Sequence, residues 1–138
     1  QLVAPEIAEK LDAVCIRRFV ESEAFAKICA AQQVLRELAF ITALPAAEVL
    51  AAQGSTAPDT APEAQVLVQG IADLVLVYPD HLELLDYKTD RRKTAADFVR
   101  AYKPQLELYA LAVGKRFAPK PVTYKGIYSL ELGRLIEV

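Results

Sequence analysis

Two runs rich in apolar and β-branched residues dominate the middle of the chain, at residues 68–78 and 81–89. Only a Pro-Asp dipeptide separates them, and two such runs around a short break predict a β-hairpin. If Pro79 and Asp80 form the turn, Tyr78 pairs with His81 and every further pair follows by counting outward. Both faces of this hairpin are mostly apolar, which predicts a central position in a sheet covered on both sides.

The same register brings two carboxylates together. Asp73 lies opposite Asp86, and opposed side chains point to one face with Cβ atoms roughly 5 Å apart. Like charges in this position are destabilising, so a divalent cation with oxygen ligands would stabilise the pair. Lys88, two residues beyond Asp86, falls on the same face. The alternative is an Asp86–Lys88 ion pair along one strand, with Asp73 capping a turn.

Helical periodicity and capping residues surround the hairpin. Ser22 is a suitable N-cap, Thr94 with Asp97 resembles a capping box, and Pro104 suits the first turn of a helix. Residues 46–53 fit one or two helical turns, and residues 54–64 predict a mobile surface loop. Alternating strands and helices predict an α/β fold, a mixed sheet with helices on both sides. Helices are predicted over residues 5–19, 23–31, 94–102 and 104–117, and a strand over residues 35–44. Residues 122–130 and 135–138 are predicted to be a strand pair or one strand with a short return.

Size and charge limit the possible classes. At 138 residues with 54% hydrophobic positions, the chain fits a single globular domain. We expect residues 1–34 to form helices that pack on a core of residues 35–138. The net charge of -2 gives no global nucleic-acid signature, so a polyanion would have to bind a local basic patch.

The expected compartment is the cytoplasm. No apolar run reaches the roughly 18 residues of a membrane span and no signal-peptide pattern opens the chain, so no membrane partner is expected. Cys15 and Cys29 lie in helical patterns without metal-ligand spacing and are expected to be buried thiols. Because the chain starts with Gln1 and contains no Met, we expect a piece of a longer protein.

A basic run follows the acidic pair. Arg91, Arg92 and Lys93 come directly after the hairpin, and such runs are usually solvated loops. Their position beside two carboxylates favours contacts to phosphate groups instead. Gln105 and Tyr109 are four residues apart on one helix face, where they either border the site or pack on the sheet.

Three segments resemble, in order and spacing, the motifs of PD-(D/E)XK nucleases of the RecB type. They are residues 70–73 (Gly-Ile-Ala-Asp), residues 85–90 (Leu-Asp-Tyr-Lys-Thr-Asp) and residues 105–110 (Gln-Leu-Glu-Leu-Tyr-Ala). The resemblance is closest to the C-terminal nuclease domain of AddA-like helicase-nucleases and covers roughly residues 35–138. Residues 36–40 are also similar to the family's Arg-Glu-x-Pro-Phe segment, with Ala39 where proline is usual.

The resemblance implies a restriction-endonuclease-like core and a set of site residues. Asp73, Asp86 and the carbonyl of Tyr87 would bind Mg²⁺, which Mn²⁺ or Ca²⁺ can replace. Lys88 would be the catalytic lysine. The family's metal-binding histidine has no counterpart, because the only histidine, His81, falls in the hairpin turn. The site residues implied as substrate-binding are Gln105, Tyr109, Arg91, Arg92 and Lys93.

The function implied is a metal-dependent DNA exonuclease domain of a bacterial helicase-nuclease acting in double-strand break repair and recombination. The parent would be an ATP-dependent helicase and would work with a second protein chain, as in an AddAB-like heterodimer. No P-loop motif occurs in this segment. One alternative is an inactive nuclease-fold module that binds DNA or braces a partner chain, and another is a small-molecule metalloenzyme. Glu37 either faces the site or is a solvated strand residue.

Overall fold

The structure is a computed structural model, and it describes residues 13–56 and 61–138. Among these residues, two short helices come first, and a third lies between the first two strands. One long helix precedes the last two strands. The helices are α1 (Ala13–Val20), α2 (Glu23–Ala30), α3 (Ala46–Ala52) and α4 (Ala95–Arg116). The strands are β1 (Gln33–Pro45), β2 (Gln65–Val77), β3 (Leu82–Lys88), β4 (Val122–Ser129) and β5 (Arg134–Glu137).

The five strands form one mixed sheet in the order β1-β2-β3-β4-β5. All neighbouring pairs are antiparallel except β3 and β4, which are parallel. Parallel neighbours need a crossover connection, and α4 supplies it between β3 and β4. The predicted α/β class, a mixed sheet with flanking helices, is confirmed.

The predicted hairpin forms in the predicted register. The backbone N–H of Tyr78 donates to the carbonyl of His81 at 3.0 Å, which closes the turn at Pro79 and Asp80. Ladder pairing then runs from the turn towards the acidic residues. The pairs are Val77 with Leu82, Leu76 with Glu83, Val75 with Leu84, and Leu74 with Leu85.

Apolar layers cover both faces of the hairpin, as its alternating pattern predicts. On one face Val75 and Leu84 are buried under residues of α3 and α4. On the other face Leu74 and Leu85 pack with residues of α1 and α2. The outer ribbon of β1 and β2 is less covered, because Ile41 and its neighbours stay exposed on one side.

The prediction of two helices over residues 94–117 is wrong. One helix, α4, runs through Pro104. Proline removes one N–H and its ring crowds the carbonyl four residues earlier. That carbonyl belongs to Arg100, an exposed residue, so solvent can satisfy it. The predicted start is confirmed: the Thr94 hydroxyl accepts from the Asp97 N–H, and the Asp97 carboxylate accepts from the Thr94 N–H.

The N-terminal helices differ from expectation at the cysteines. Ser22 caps α2 as predicted, because its hydroxyl accepts from the Phe25 N–H at 3.3 Å. Cys29 is exposed and Cys15 is half-buried, so the prediction of buried thiols is wrong. Residues 5–12 of the first predicted helix and residues 57–60 of the predicted loop lie outside the described residues. No helix among the described residues has the length and apolar character needed to cross a bilayer.

Candidate active site

The acidic end of the hairpin is where β2 and β3 separate. The ladder between them ends at Leu74 and Leu85, one step before the expected pair of Asp73 and Asp86. Beyond that point a side-chain hydrogen bond replaces the backbone ladder: Asp73 Oδ2 accepts from the Tyr87 N–H at 2.9 Å. The two acids therefore lie side by side at the opening of the hairpin rather than as a regular ladder pair.

Asp86 carries a buried carboxylate that is paired with Lys88. The residue is 5% exposed. Lys88 Nζ lies 2.7 Å from Asp86 Oδ2, so the ion pair along one strand that the alternative interpretation predicts is present. Burial raises the pKa of Asp86, Lys88 lowers it, and nearby Asp73 raises it again, with a net upward shift. An ionised Asp86 is thus incompletely stabilised by protein groups.

Lys88 rests between Asp86 and an aromatic ring. Its Nζ is 4.4 Å from the centre of the Tyr102 ring, in a cation–π contact. Burial lowers the pKa of Lys88, but its ion pair with Asp86 raises it, and the net direction is upward. Lys88 therefore keeps its positive charge beside the two carboxylates.

Asp90 and Tyr102 were missed as site neighbours by sequence reasoning. The Tyr102 hydroxyl contacts both carboxylate oxygens of Asp90 at 2.8 Å. The signal was helical spacing: Phe98, Tyr102, Gln105 and Tyr109 repeat at intervals of three or four residues. An expected break at Pro104 hid this shared face of α4.

The basic run divides into exposed and occupied residues. Arg91 and Arg92 are exposed beyond the acidic end of the hairpin. The Arg92 backbone has a φ of 59°, and its N–H donates to Glu131 Oε2 at 2.6 Å, which fixes the loop. Lys93 is half-buried and its Nζ donates to Asp90 Oδ1 at 2.6 Å. Lys93 is thus less available to an external phosphate than the two arginines.

Gln105 and Tyr109 pack against the strand that carries Asp73. The Gln105 amide donates to the Tyr109 hydroxyl at 3.1 Å. The Tyr109 ring meets the Phe40 ring edge to face, with centroids 5.0 Å apart. Tyr109 also covers Gly70, which precedes Asp73 by three residues, or roughly 10 Å of strand. These two side chains brace β2 in this structure.

Glu37 lies beside Asp73 on the neighbouring strand. The β1–β2 register pairs Arg36 with Leu74 and Leu38 with Ala72, so Glu37 falls level with Asp73. Glu37 has no partner in the β1–β2 pairing, and its φ of 49° is a conformation that costs energy for a residue with a side chain. Glu37 and Asp73 both line an open cavity of about 470 Å³.

The donor atoms fit a hard divalent cation. Carboxylates and backbone carbonyls suit Mg²⁺, Mn²⁺ or Ca²⁺, whereas Zn²⁺ prefers nitrogen and sulfur ligands. The buried Asp86 carboxylate, which shares one lysine with Asp73, is an acceptor that such an ion would suit. Within residues 13–56 and 61–138, no group of three His, Cys, Asp or Glu side chains forms a fuller ligand set.

Comparison with known families gives an independent match. The family model of the PD-(D/E)XK nuclease superfamily matches residues 2–133. This range includes the acidic pair, Lys88, and the Gln105–Tyr109 face of α4.

Individual relatives agree with this match. The A subunit of the ATP-dependent helicase/nuclease of Lacticaseibacillus casei (strain BL23) is 34% identical over all of this chain and 11% of the relative. Proteins of the same name from Ligilactobacillus salivarius (strain UCC118) and Geobacillus kaustophilus (strain HTA426) are 33% and 31% identical. They match 99% and 100% of this chain, and 10% and 11% of their own lengths. The chain thus spans about a tenth of the length of these curated relatives.

Proposed function

This chain belongs to the PD-(D/E)XK nuclease superfamily, and from that we propose that it is a metal-dependent DNA exonuclease domain of a longer bacterial helicase-nuclease. The names of the relatives support the link to an ATP-dependent helicase and to a multisubunit enzyme. Double-strand break repair and recombination in the cytoplasm, together with a second protein chain as partner, is the setting we propose.

One observation carries the proposal: two carboxylates, one of them buried, lie side by side with a single lysine. Asp86 Oδ2 is paired with Lys88 Nζ at 2.7 Å, while Asp73 beside it accepts from the Tyr87 N–H. One lysine does not balance two neighbouring carboxylates, and a divalent cation would supply the missing positive charge. Asp73, Asp86 and the Tyr87 carbonyl would hold Mg²⁺, or Mn²⁺ or Ca²⁺ in its place.

The residues divide the work of phosphodiester hydrolysis. A bound divalent ion would supply charge stabilisation and a more acidic water. Lys88, fixed beside Asp86, offers a cation to the negative charge that develops on the phosphate. Gln105 and Tyr109 act one step further away, because they hold β2, and therefore Asp73, against α4.

The exposed arginines favour a polyanionic substrate. Arg91 and Arg92 lie just past the hairpin end that carries the acids, on a loop fixed by the bond to Glu131. Cations in this position attract phosphate groups without reading sequence. A small neutral substrate would not require them.

The test is DNA cleavage by the helicase-nuclease that carries this domain. Asp73→Ala, Asp86→Ala and Lys88→Ala should each abolish Mg²⁺-dependent cleavage. DNA-stimulated ATP hydrolysis and the thermal unfolding temperature of the domain should stay unchanged. Glu48→Gln, an exposed carboxylate on α3, is the matched control and should cleave normally. Wild-type cleavage by all three variants would refute the assignment. An intact enzyme that binds DNA but never cleaves it would support a non-catalytic module instead.

A further inference from the structure

We infer that Tyr102, anchored by Asp90, is a positioning residue for Lys88. This inference rests on the function proposed above and adds two residues to it. Neither residue is a metal ligand or a phosphate contact in that proposal. Their role is to hold the ammonium group of Lys88 at one place beside Asp86 before DNA arrives.

The contacts of Lys88 define that place. Its Nζ has the Asp86 carboxylate at 2.7 Å and the centre of the Tyr102 ring at 4.4 Å. Its side chain is 19% exposed, so the motion of this side chain is already restricted. A lysine side chain has four rotatable bonds and no preferred direction for its charge. The ring face supplies the direction, because it attracts a cation without donating or accepting a hydrogen bond.

Asp90 explains why the ring stays in place. Both of its oxygens lie 2.8 Å from the Tyr102 hydroxyl, which ties the ring edge to the loop after β3. A second cation, Lys93 Nζ, lies 5.1 Å from the same ring centre. Two cations near one ring repel each other, but Asp90 neutralises the second through its 2.6 Å contact with Lys93. Asp90 thus keeps the ring available to Lys88.

The chain contains a second lysine–carboxylate–tyrosine group of the same kind. Lys27 Nζ lies 3.1 Å from Glu83 Oε1 and 4.1 Å from the centre of the Tyr124 ring. This group joins α2 to the turn end of the sheet, away from Asp73 and Asp86. It therefore provides a control in which the same interaction is weakened without touching the proposed site.

The experiment weakens the ring's attraction without changing its shape. In the helicase-nuclease, residue 102 is replaced by phenylalanine and then by phenylalanines carrying two and three ring fluorines. Fluorine withdraws electron density from the ring face, so the cation–π attraction falls in steps. The value of kcat for DNA cleavage should fall stepwise by roughly 10-fold in total, with KM for DNA and Mg²⁺ affinity unchanged. The same series at residue 124 should leave kcat unchanged.

Tyr102→Leu and Asp90→Ala complete the design. Tyr102→Leu should lower kcat beyond the fluorinated series, and Tyr102→Phe should recover part of the loss, because it restores the ring but not the hydroxyl contact with Asp90. Asp90→Ala should lower kcat in the same direction by releasing Tyr102 and Lys93. Equal kcat across the fluorinated series, or an equal fall for the series at residue 124, would overturn the inference.

Lys88→Ala separates this inference from the function on which it rests. An inactive Lys88→Ala with a flat fluorine series would contradict the positioning role and leave the nuclease proposal standing. A fully active Lys88→Ala would contradict the positioning role, while Asp73→Ala and Asp86→Ala would still decide the nuclease proposal.

Discussion

A β-carbon on Gly70 would lie only 2.9 Å from the hydroxyl oxygen of Tyr109, so a side chain at residue 70 would force Tyr109 to move. The same β-carbon would lie 2.8 Å from Phe40 Cζ. The motif that contains Gly70 and the motif that contains Tyr109 therefore pack together, although more than thirty positions separate them in the sequence. This packing fixes the part of β2 that leads to Asp73.

Gly70→Ala should destabilise the domain by about 1–3 kcal/mol, because the added methyl group overpacks a filled space. Chemical denaturation measures the change. Tyr109→Leu removes part of the clash, so the double variant should lose less stability than the sum of the two single variants. Gly114→Ala is the matched control: its β-carbon would be 3.8 Å from the nearest atom, and alanine favours a helix. Equal losses at both glycines would contradict the packing argument.

Replacing Arg91 and Arg92 by alanine should weaken DNA binding at low salt. The slope of log affinity against log salt is negative, and removing one phosphate-binding cation makes it less steep by about one unit. Removing both arginines should therefore make it less steep by about two units. Lys93→Ala should change the slope much less, because the ammonium group of Lys93 is already paired with Asp90. Binding titrations at several salt concentrations give the slopes. If Lys93→Ala had the largest effect, the division of the basic run would be wrong.

Glu37→Gly should stabilise the domain, although it removes a side chain. Glu37 has a φ of 49°, which glycine adopts without strain. The gain should be about 0.5–1 kcal/mol after the greater flexibility of glycine in the unfolded chain is subtracted. Glu37→Ala keeps the strain and is the control. Thermal unfolding of both variants decides the point, and a Glu37→Gly variant that is less stable than Glu37→Ala would show that the backbone there is unstrained.

Asp97 should make α4 sensitive to acid. Its hydrogen bonds from the N–H and hydroxyl of Thr94 lower the pKa of its carboxyl group. A lowered pKa in the folded state contributes stability above the ordinary aspartate value of about 4, and this is lost as the pH falls through the lowered pKa. The stability gap between wild type and Asp97→Asn should therefore be largest near neutrality and shrink in acid. Unfolding curves from about pH 2 to pH 7 measure it, and a constant gap would contradict the assignment.

The sequence predicted the hairpin and its register because local rules determine both. A two-residue turn at Pro79 and Asp80 sets which residues pair, and alternation then assigns each face. Asp73 and Asp86 were placed together by this counting alone. Their exact relation was not predictable, because the strands part after Leu74 and Leu85 and side-chain bonds replace the ladder.

Other features depend on contacts between distant segments. The continuous helix α4 was not predictable from Pro104, since tolerance of a proline depends on where the affected carbonyl lies. The face that Tyr102 shares with Gln105 requires that helix to be continuous. Cys29 belongs to a short helix that buries only Ala24, so helical spacing alone overestimated its burial.

Measuring Mn²⁺ binding by electron paramagnetic resonance tests the proposed site most directly. The domain should bind Mn²⁺, and Mg²⁺ should displace it, because both ions take oxygen ligands. Asp73→Asn and Asp86→Asn keep the shape of the side chain but remove its charge, and each should weaken binding at least about 10-fold. Glu48→Gln should bind as wild type does. Equal Mn²⁺ affinity in wild type, Asp73→Asn and Asp86→Asn would contradict a metal site at these two carboxylates.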